Sequence, residues 1–260
     1  IAMIPTRNWA EYILEQTGEE AEKALWELLF KLCYINETND VVKAWEEKDK
    51  LTAERARKVD ALRLTKLHYT AGNGTDLVVG LTPWSRFGHD GVSLPEDRIP
   101  FHANMPTEEI CTTPDKFETS GVVYASRPLV LGGKKIESFG FRFEKGKVTE
   151  VLAKEGKEML EALIHTDENA GYLGEAALVE YHSPISMSGV VFYTTLIDEN
   201  ASCHLALGRG LAAGPEEAAG RFNDSTIHVD FMIGTPDLKI TGTTEDGREV
   251  EIFRNGDFAL

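Results

Sequence analysis

Three cysteines, Cys33, Cys111 and Cys203, are too few and too widely spaced for a disulfide framework, and no CxxC pair offers the spacing of a zinc ribbon. A chain of 260 residues that is 42% apolar can bury a core without such staples. Positive charge is also scarce. Lys and Arg number 27 against 43 Asp and Glu, a formal net charge of −16, and no basic run offsets it. That balance repels a phosphate backbone, so no nucleic acid partner is expected. Missing too are an apolar run of roughly 18 residues that would cross a bilayer and a basic-then-apolar leader. The expectation is a soluble protein of the reducing cytoplasm with no membrane partner.

What is present begins with helical periodicity. Trp9 to Thr17, Glu19 to Tyr34 and Val41 to Arg63 each repeat apolar residues at helical spacing. In the second, Ala21, Leu25, Leu28, Leu29 and Leu32 form a broad apolar face. From Leu64 the period changes to two. Residues 67–70 and 76–81 read as a hairpin about Gly72-Asn73-Gly74, with His68 as a cross-strand residue. Short strands over 121–126, 127–131, 136–143 and 147–152 read as an antiparallel meander, followed by a helix over 155–164. Residues 238–243 and 250–253 read as strands around Asp246-Gly247, a type I′ turn candidate. The fold class is therefore α+β, helical over residues 1–63 and sheet-rich over residues 64–260.

Four clusters carry potential chemistry. Glu108 and Glu109 lie between Pro106 and Pro114, in a segment that presents side chains from a rigid loop. In an acidic protein the plain alternative is a solvated loop. Glu175 sits where an apolar strand opens, and a buried carboxylate must be paired, protonated or metal-bound. The apolar run 190–197 reads as a strand that leads into Asp198-Glu199-Asn200, with His204 one to two turns later. Helix capping would account for Asp198 and Asn200 but not for His204. Finally, His228 and Asp230 share one face of a predicted strand while Ile227, Val229 and Phe231 share the other. The competing reading there is an exposed hydrogen-bonded pair. His89-Asp90 is a further exposed pair that no spacing ties to these clusters. Together the clusters supply the oxygen and nitrogen donors of a two-metal hydrolase site.

Asn104-Met-Pro-Thr-Glu-Glu, Gly174-Glu175-Ala-Ala-Leu-Val, Asp198-Glu199-Asn-Ala-Ser-Cys-His204-Leu-Ala-Leu-Gly208 and His228-Val-Asp230-Phe-Met-Ile-Gly234, in that order, resemble the thermophilic metallo-aminopeptidase family, the aminopeptidase T, S and II group. The likeness covers most of the chain. It implies a single catalytic domain over 1–260, a mixed, largely antiparallel sheet with flanking helices, without the flavodoxin-like domain that precedes this region in the family. It implies two divalent ions, zinc, cobalt or manganese, held by Glu109, Glu175, His204, His228 and Asp230. Glu199 is a further ligand or a base, and Glu108 an alternative base. The implied substrates are peptides with a free N-terminus, and the implied assembly a homodimer. One position departs from the pattern. Leu211 stands where the family usually has a tyrosine, seven residues after the histidine of the Asp-Glu-Asn motif. Two functions compete on this reading: an active metallo-aminopeptidase, and a metal-binding domain with weak or no peptidase activity.

Overall fold

The structure, a computed structural model, describes residues 1–88, 91–93, 100–211 and 216–260. The chain opens with α1 (Arg7–Ile13), α2 (Gly18–Leu32) and α3 (Val41–Ala61). Side chains start two of them: Thr6 Oγ1 accepts the Trp9 N–H, and Asp40 Oδ1 accepts the Lys43 N–H. The predicted stripe of α2 is buried at Ala21, Leu25, Leu29 and Leu32. Next come β1 (Leu64–Thr70), β2 (Asp76–Gly80), β3 (Gly91–Ser93), β4 (Pro100–His102), β5 (Ile110–Thr112), β6 (Thr119–Tyr124), β7 (Leu129–Leu131), β8 (Lys134–Ile136), β9 (Phe139–Glu144) and β10 (Lys147–Ala153). After α4 (Lys157–Ile164) the chain forms β11 (Leu173–Leu178), α5 (Pro184–Met187), α6 (Thr195–Asp198), β12 (His204–Gly208), β13 (His228–Met232), β14 (Lys239–Thr244), β15 (Glu249–Arg254) and β16 (Asp257–Phe258).

The strands make an eight-stranded sheet in the order β10-β9-β6-β2-β1-β14-β15-β16, a four-stranded sheet in the order β13-β12-β11-β5, and the two-stranded ribbons β3-β4 and β7-β8. Every named pair is antiparallel, and the fold is α+β as expected. The main core unites apolar residues of both large sheets. Leu67, Leu77, Val123, Phe139 and Phe141 come from one, and Ala176, Leu178, Leu205, Leu207 and Phe231 from the other. Phe231 meets Phe141 with ring centroids 5.2 Å apart. Truncating such a buried ring costs about 3–5 kcal/mol. Because strand side chains alternate, this packing leaves His204, Ala206, His228 and Asp230 on the opposite face of the small sheet.

A second, smaller core joins Ala10 of α1 and Ala21, Leu25, Leu29 and Leu32 of α2 to Ile185, Phe192, Ile197 and Ala201. The N-terminal helices thus buttress the segment that carries Glu199. Among the described residues no helix is long and apolar enough to cross a membrane.

Several local expectations are corrected. Residues 190–194 form no strand. The Trp9 indole N–H donates to the Phe192 carbonyl at 2.8 Å, and Asp198 accepts the N–H groups of Phe192 and Thr194, so side chains satisfy backbone groups that a strand would pair. His204 lies on a strand, one residue beyond the break at Ser202 and Cys203, and not on a helix. The meander is β6-β9-β10 alone. Ser138, at φ +54°, divides the predicted 136–143 strand, and β7-β8 stands apart as its own ribbon. In the Asp246-Gly247 turn only the glycine has positive φ, whereas a type I′ turn needs two such residues. That arrangement occurs instead at Asn255-Gly256, between β15 and β16.

Candidate metal centre

Three adjacent strands carry most of the candidate ligands. β12 is paired on one side with β11 and on the other with β13. The register sets Glu175 and Asp230 both opposite Ala206, sets His204 opposite Ala177, and sets His228 opposite Gly208. The donors therefore neighbour methyl groups and a glycine, except that His204 also faces Met232 across to β13. Most of the space over this face is left to the donors. Glu109 enters from the residue before β5, and Glu199 from the 3-10 turn Glu199–Ala201 that precedes β12.

Two glycines allow the close approach. A Cβ on Gly174 would lie 2.2 Å from the Arg209 carbonyl oxygen, and one on Gly208, at φ +102°, would lie 2.2 Å from that of Ile227. Asn223 ties the same corner together, its amide donating to the carbonyls of Gly208 and Asn169. The Arg209 carbonyl so placed accepts the Nδ1–H of His228 at 2.7 Å. Fixing that proton on Nδ1 aims Nε2 at the cluster, where it meets Glu175 Oε2 at 3.1 Å and Asp230 Oδ1 at 3.2 Å. A lone pair pointed at two carboxylates is repulsive unless a cation, a proton or a metal, sits among them.

A second contact repeats the pattern. His204 Nε2 lies 3.1 Å from Glu109 Oε2 without the alignment of a hydrogen bond, and both Glu109 Oε2 and His204 Nδ1 are buried with no hydrogen-bond partner among the described residues. Glu175 is 3% exposed and His204 1%. Burial opposes charge on His204, but Glu109, with Asp230 and Glu175 behind it, outweighs that and raises the imidazole to about 10. His228 rises likewise to about 11, burial being overcome by Asp230 and Glu175. Burial raises Glu109. It also raises Glu199 to about 9, helped by the charges of Asp230, Glu109 and Glu175 and partly offset by His204. Asp230 ends below the usual carboxylate range because His228 and His204 outweigh its burial. Without a metal, then, this face holds protons where it could hold cations.

Glu109, Glu175 and His204 can each offer one ligand atom within 4.8 Å of the others, and so can Glu175, His228 and Asp230. Glu175 belongs to both groups. Mixed oxygen and nitrogen donors in a dry setting, one of them the orphaned Glu109 Oε2, fit divalent ions of borderline hardness. Cys203 faces the other way, with Sγ 3.4 Å from the Val179 carbonyl.

The five residues from 109 to 230 named as ligands come together, and Glu199 borders them. Glu108 does not join them. Its carboxylate takes Lys48 Nζ at 2.6 Å and Tyr34 Oη at 2.8 Å, in a different cleft. His68 pairs with Asp76 at 2.7 Å on the surface, as a cross-strand residue should. His89-Asp90 lies outside the described residues. Leu211 is 64% exposed, two residues beyond the carbonyl that holds His228. Sequence reasoning missed the roles of Arg209, Asn200, Lys48 and Tyr34. Only Asn200 had a signal, its place inside the Asp-Glu-Asn motif.

A family model described as Thermophilic metalloprotease (M29) matches residues 1–258. Aminopeptidase AmpS of Bacillus subtilis is 42% identical over 263 residues, covering 97% of this chain and 63% of that protein. Aminopeptidase T of Thermus thermophilus is 40% identical over 257 residues, covering 96% of this chain and 62% of that protein. Among solved structures, wild-type AmpT from Thermus thermophilus aligns with a TM-score of 0.89 at 36% identity, over 98% of this chain and 63% of the other. A 2,5-dihydroxypyridine dioxygenase from Pseudomonas putida reaches a TM-score of 0.57 at 15% identity over 90% of this chain and 62% of that one, a likeness of fold alone. The chain thus spans less than two thirds of the length of the relatives it matches.

Proposed function

The chain belongs to the thermophilic metalloprotease (M29) family, and from that premise we propose that it is a metal-dependent aminopeptidase releasing N-terminal residues from peptides. One observation carries this reading: His228 Nε2 is fixed between Glu175 and Asp230 by the Arg209 carbonyl. Two divalent ions, zinc, cobalt or manganese, would be held by Glu109 with His204 and by His228 with Asp230, with Glu175 common to both. Such ions supply Lewis acidity for the scissile carbonyl and lower the pKa of a water.

The chain's own groups do the rest. Glu199 takes the proton of the attacking water and passes it to the leaving amine, since it borders the cluster. Burial and the charges of Asp230, Glu109 and Glu175 raise it without metal, and bound cations would offset those charges and favour the ionised form that a base requires. Glu108 is unsuited to that task, because Lys48 and Tyr34 occupy both of its oxygens. The carboxylates also attract the ammonium of a free N-terminus, which fits cleavage from that end of a peptide. The chain acts as a single catalytic domain, as a homodimer in the cytoplasm, where its three cysteine thiols stay reduced.

Elemental analysis after dialysis, with turnover of an aminoacyl anilide and of its N-acetylated form, tests the reading. About two ions per chain and hydrolysis of the free-amine substrate alone are expected. Absence of any ion, even after zinc or cobalt is added, overturns it. A second reading, a metal-binding domain of the same family with weak or no peptidase activity, is favoured by Leu211 at the family's tyrosine position. Stoichiometric metal with no turnover would select it.

A further inference from the structure

We propose that Asn200, Lys48 and Tyr34 are positioning residues that clamp residue 108 against the Glu199 turn and so set the spacing of Glu109 and Glu199. This rests on the metal reading above. The Glu108 N–H donates to Asn200 Oδ1 at 2.7 Å. Glu109 follows Glu108 directly and Glu199 directly precedes Asn200, so one hydrogen bond joins the neighbours of two carboxylates from segments 90 residues apart in the chain. Asn200 is fully buried, and its Nδ2 points toward Leu196 O at 3.5 Å and Glu199 Oε1 at 3.4 Å. Its amide thus spans both sides of the joint.

The opposite side of residue 108 is held by its own side chain. Lys48 from α3 takes one carboxylate oxygen at 2.6 Å, and Tyr34, just past α2, takes the other at 2.8 Å. The two partners brace each other, the Lys48 ammonium standing 5.4 Å from the centroid of the Tyr34 ring, which lies perpendicular to Trp45 with ring centroids 5.6 Å apart. The Lys48 and Glu108 side chains are only 14% and 10% exposed, so the pair is little screened by water. A carboxylate held this firmly cannot swing into the metal cluster. What it can do is pin the backbone from which Glu109 projects, the task performed by groups behind the ligands in metal sites generally. The arrangement also explains why two adjacent glutamates have different fates.

The test follows from the two ligand groups sharing Glu175 while only one contains Glu109. Metal-free Lys48→Met, Tyr34→Phe and Asn200→Ala proteins are titrated calorimetrically with zinc or manganese beside the parent. One of the two binding steps is expected to weaken by roughly 10- to 100-fold and the other to stay at the parent value. Lys48→Arg should recover some of the loss, and at saturating metal kcat should fall more than KM changes. Unchanged titrations in both Lys48→Met and Tyr34→Phe overturn the proposal. So does equal weakening of both steps together with a lowered Tm, which marks a role in the fold alone. Should Lys48→Met fail to fold, Tyr34→Phe, which deletes one hydroxyl, decides the matter. A parent that takes up no ion refutes the metal reading, and the clamp falls with it.

Discussion

His228 is tied to Arg209, ring to main chain: its Nδ1–H donates to the Arg209 carbonyl oxygen at 2.7 Å. The ring is therefore oriented before any ligand arrives, and Nε2 faces Glu175 and Asp230 whether or not it carries a proton. Pre-orientation of this kind lowers the entropy lost when a ligand binds. It also makes the consequences of altering the site specific.

Replacing either side of the Nε2 contact should remove function and leave the fold. His228→Ala and Glu175→Gln are each expected to lose stoichiometric metal and to lower aminoacyl-anilide turnover at least about a hundredfold. Their far-UV circular dichroism should match that of the metal-free parent, because Phe231, Leu205 and Ala176 hold the other face of the same strands. A variant that unfolds while the metal-free parent stays folded would show that the cluster is structural.

Glu199→Gln separates proton transfer from metal holding. If Glu199 is the base, kcat should drop by about 10²- to 10⁴-fold with KM less affected and about two ions per chain retained. Loss of an ion in this variant would identify Glu199 first as a ligand.

The metal-free protein should lose stability as pH rises. His204 and His228, at about 10 and about 11 in the fold, lie above the unfolded value of about 6.5. Their contribution is thus complete below pH 6.5 or so and disappears as pH climbs through their folded values. Glu199, raised to about 9, acts in the same direction, its proton being lost from the unfolded chain near pH 4.5 and from the fold only later. Asp230 is lowered, and its opposite effect falls below about pH 4, outside this window. Thermal denaturation of chelator-treated protein from about pH 6 to about pH 10 should show Tm falling, and saturating zinc should flatten or reverse the trend. A Tm that does not move over that range would contradict the paired histidines.

Leu211→Tyr probes the departure from the family pattern. Leu211 is exposed, with room for a larger side chain, and lies two residues beyond the carbonyl that orients His228. A phenol there that donated to the developing oxyanion would be worth roughly 3 kcal/mol, about a hundredfold in rate. The expected outcome is a higher kcat with a smaller change in KM, measured at saturating metal on one aminoacyl amide. Equal kcat values would exclude a missing donor at this position.

The features of this centre that sequence makes visible are those written in local period. His228 and Asp230 flank Val229 at strand spacing, and Glu175 stands in an apolar run where a bare charge is costly, so both can be read without coordinates. The 190–197 run misleads because its β-branched and aromatic residues suit a strand, while the Asp198 carboxylate and Trp9 supply hydrogen bonds that no local pattern encodes. Lys48 and Tyr34 leave no trace at all. Their partner lies 60 and 74 residues further along, and a lysine on an amphipathic helix looks solvent-facing until the chain is folded. Asn255-Gly256, by contrast, carries a stronger short hairpin signal than Asp246-Gly247, since asparagine tolerates the left-handed region that the turn demands.

The alternation along β11, β12 and β13 places a constraint on how this protein can vary over time. One side of these strands is core and the other is chemistry, with a spacing of a single residue between them. Substitutions can be absorbed one at a time on either side. A one-residue insertion or deletion within β13 that shifts its register cannot, since it would turn apolar residues such as Val229 or Phe231 toward the donor cluster and His228 or Asp230 into the hydrocarbon interior. The three strands should therefore be fixed in length across descendants of this sequence, with gains and losses of residues confined to the connections between them.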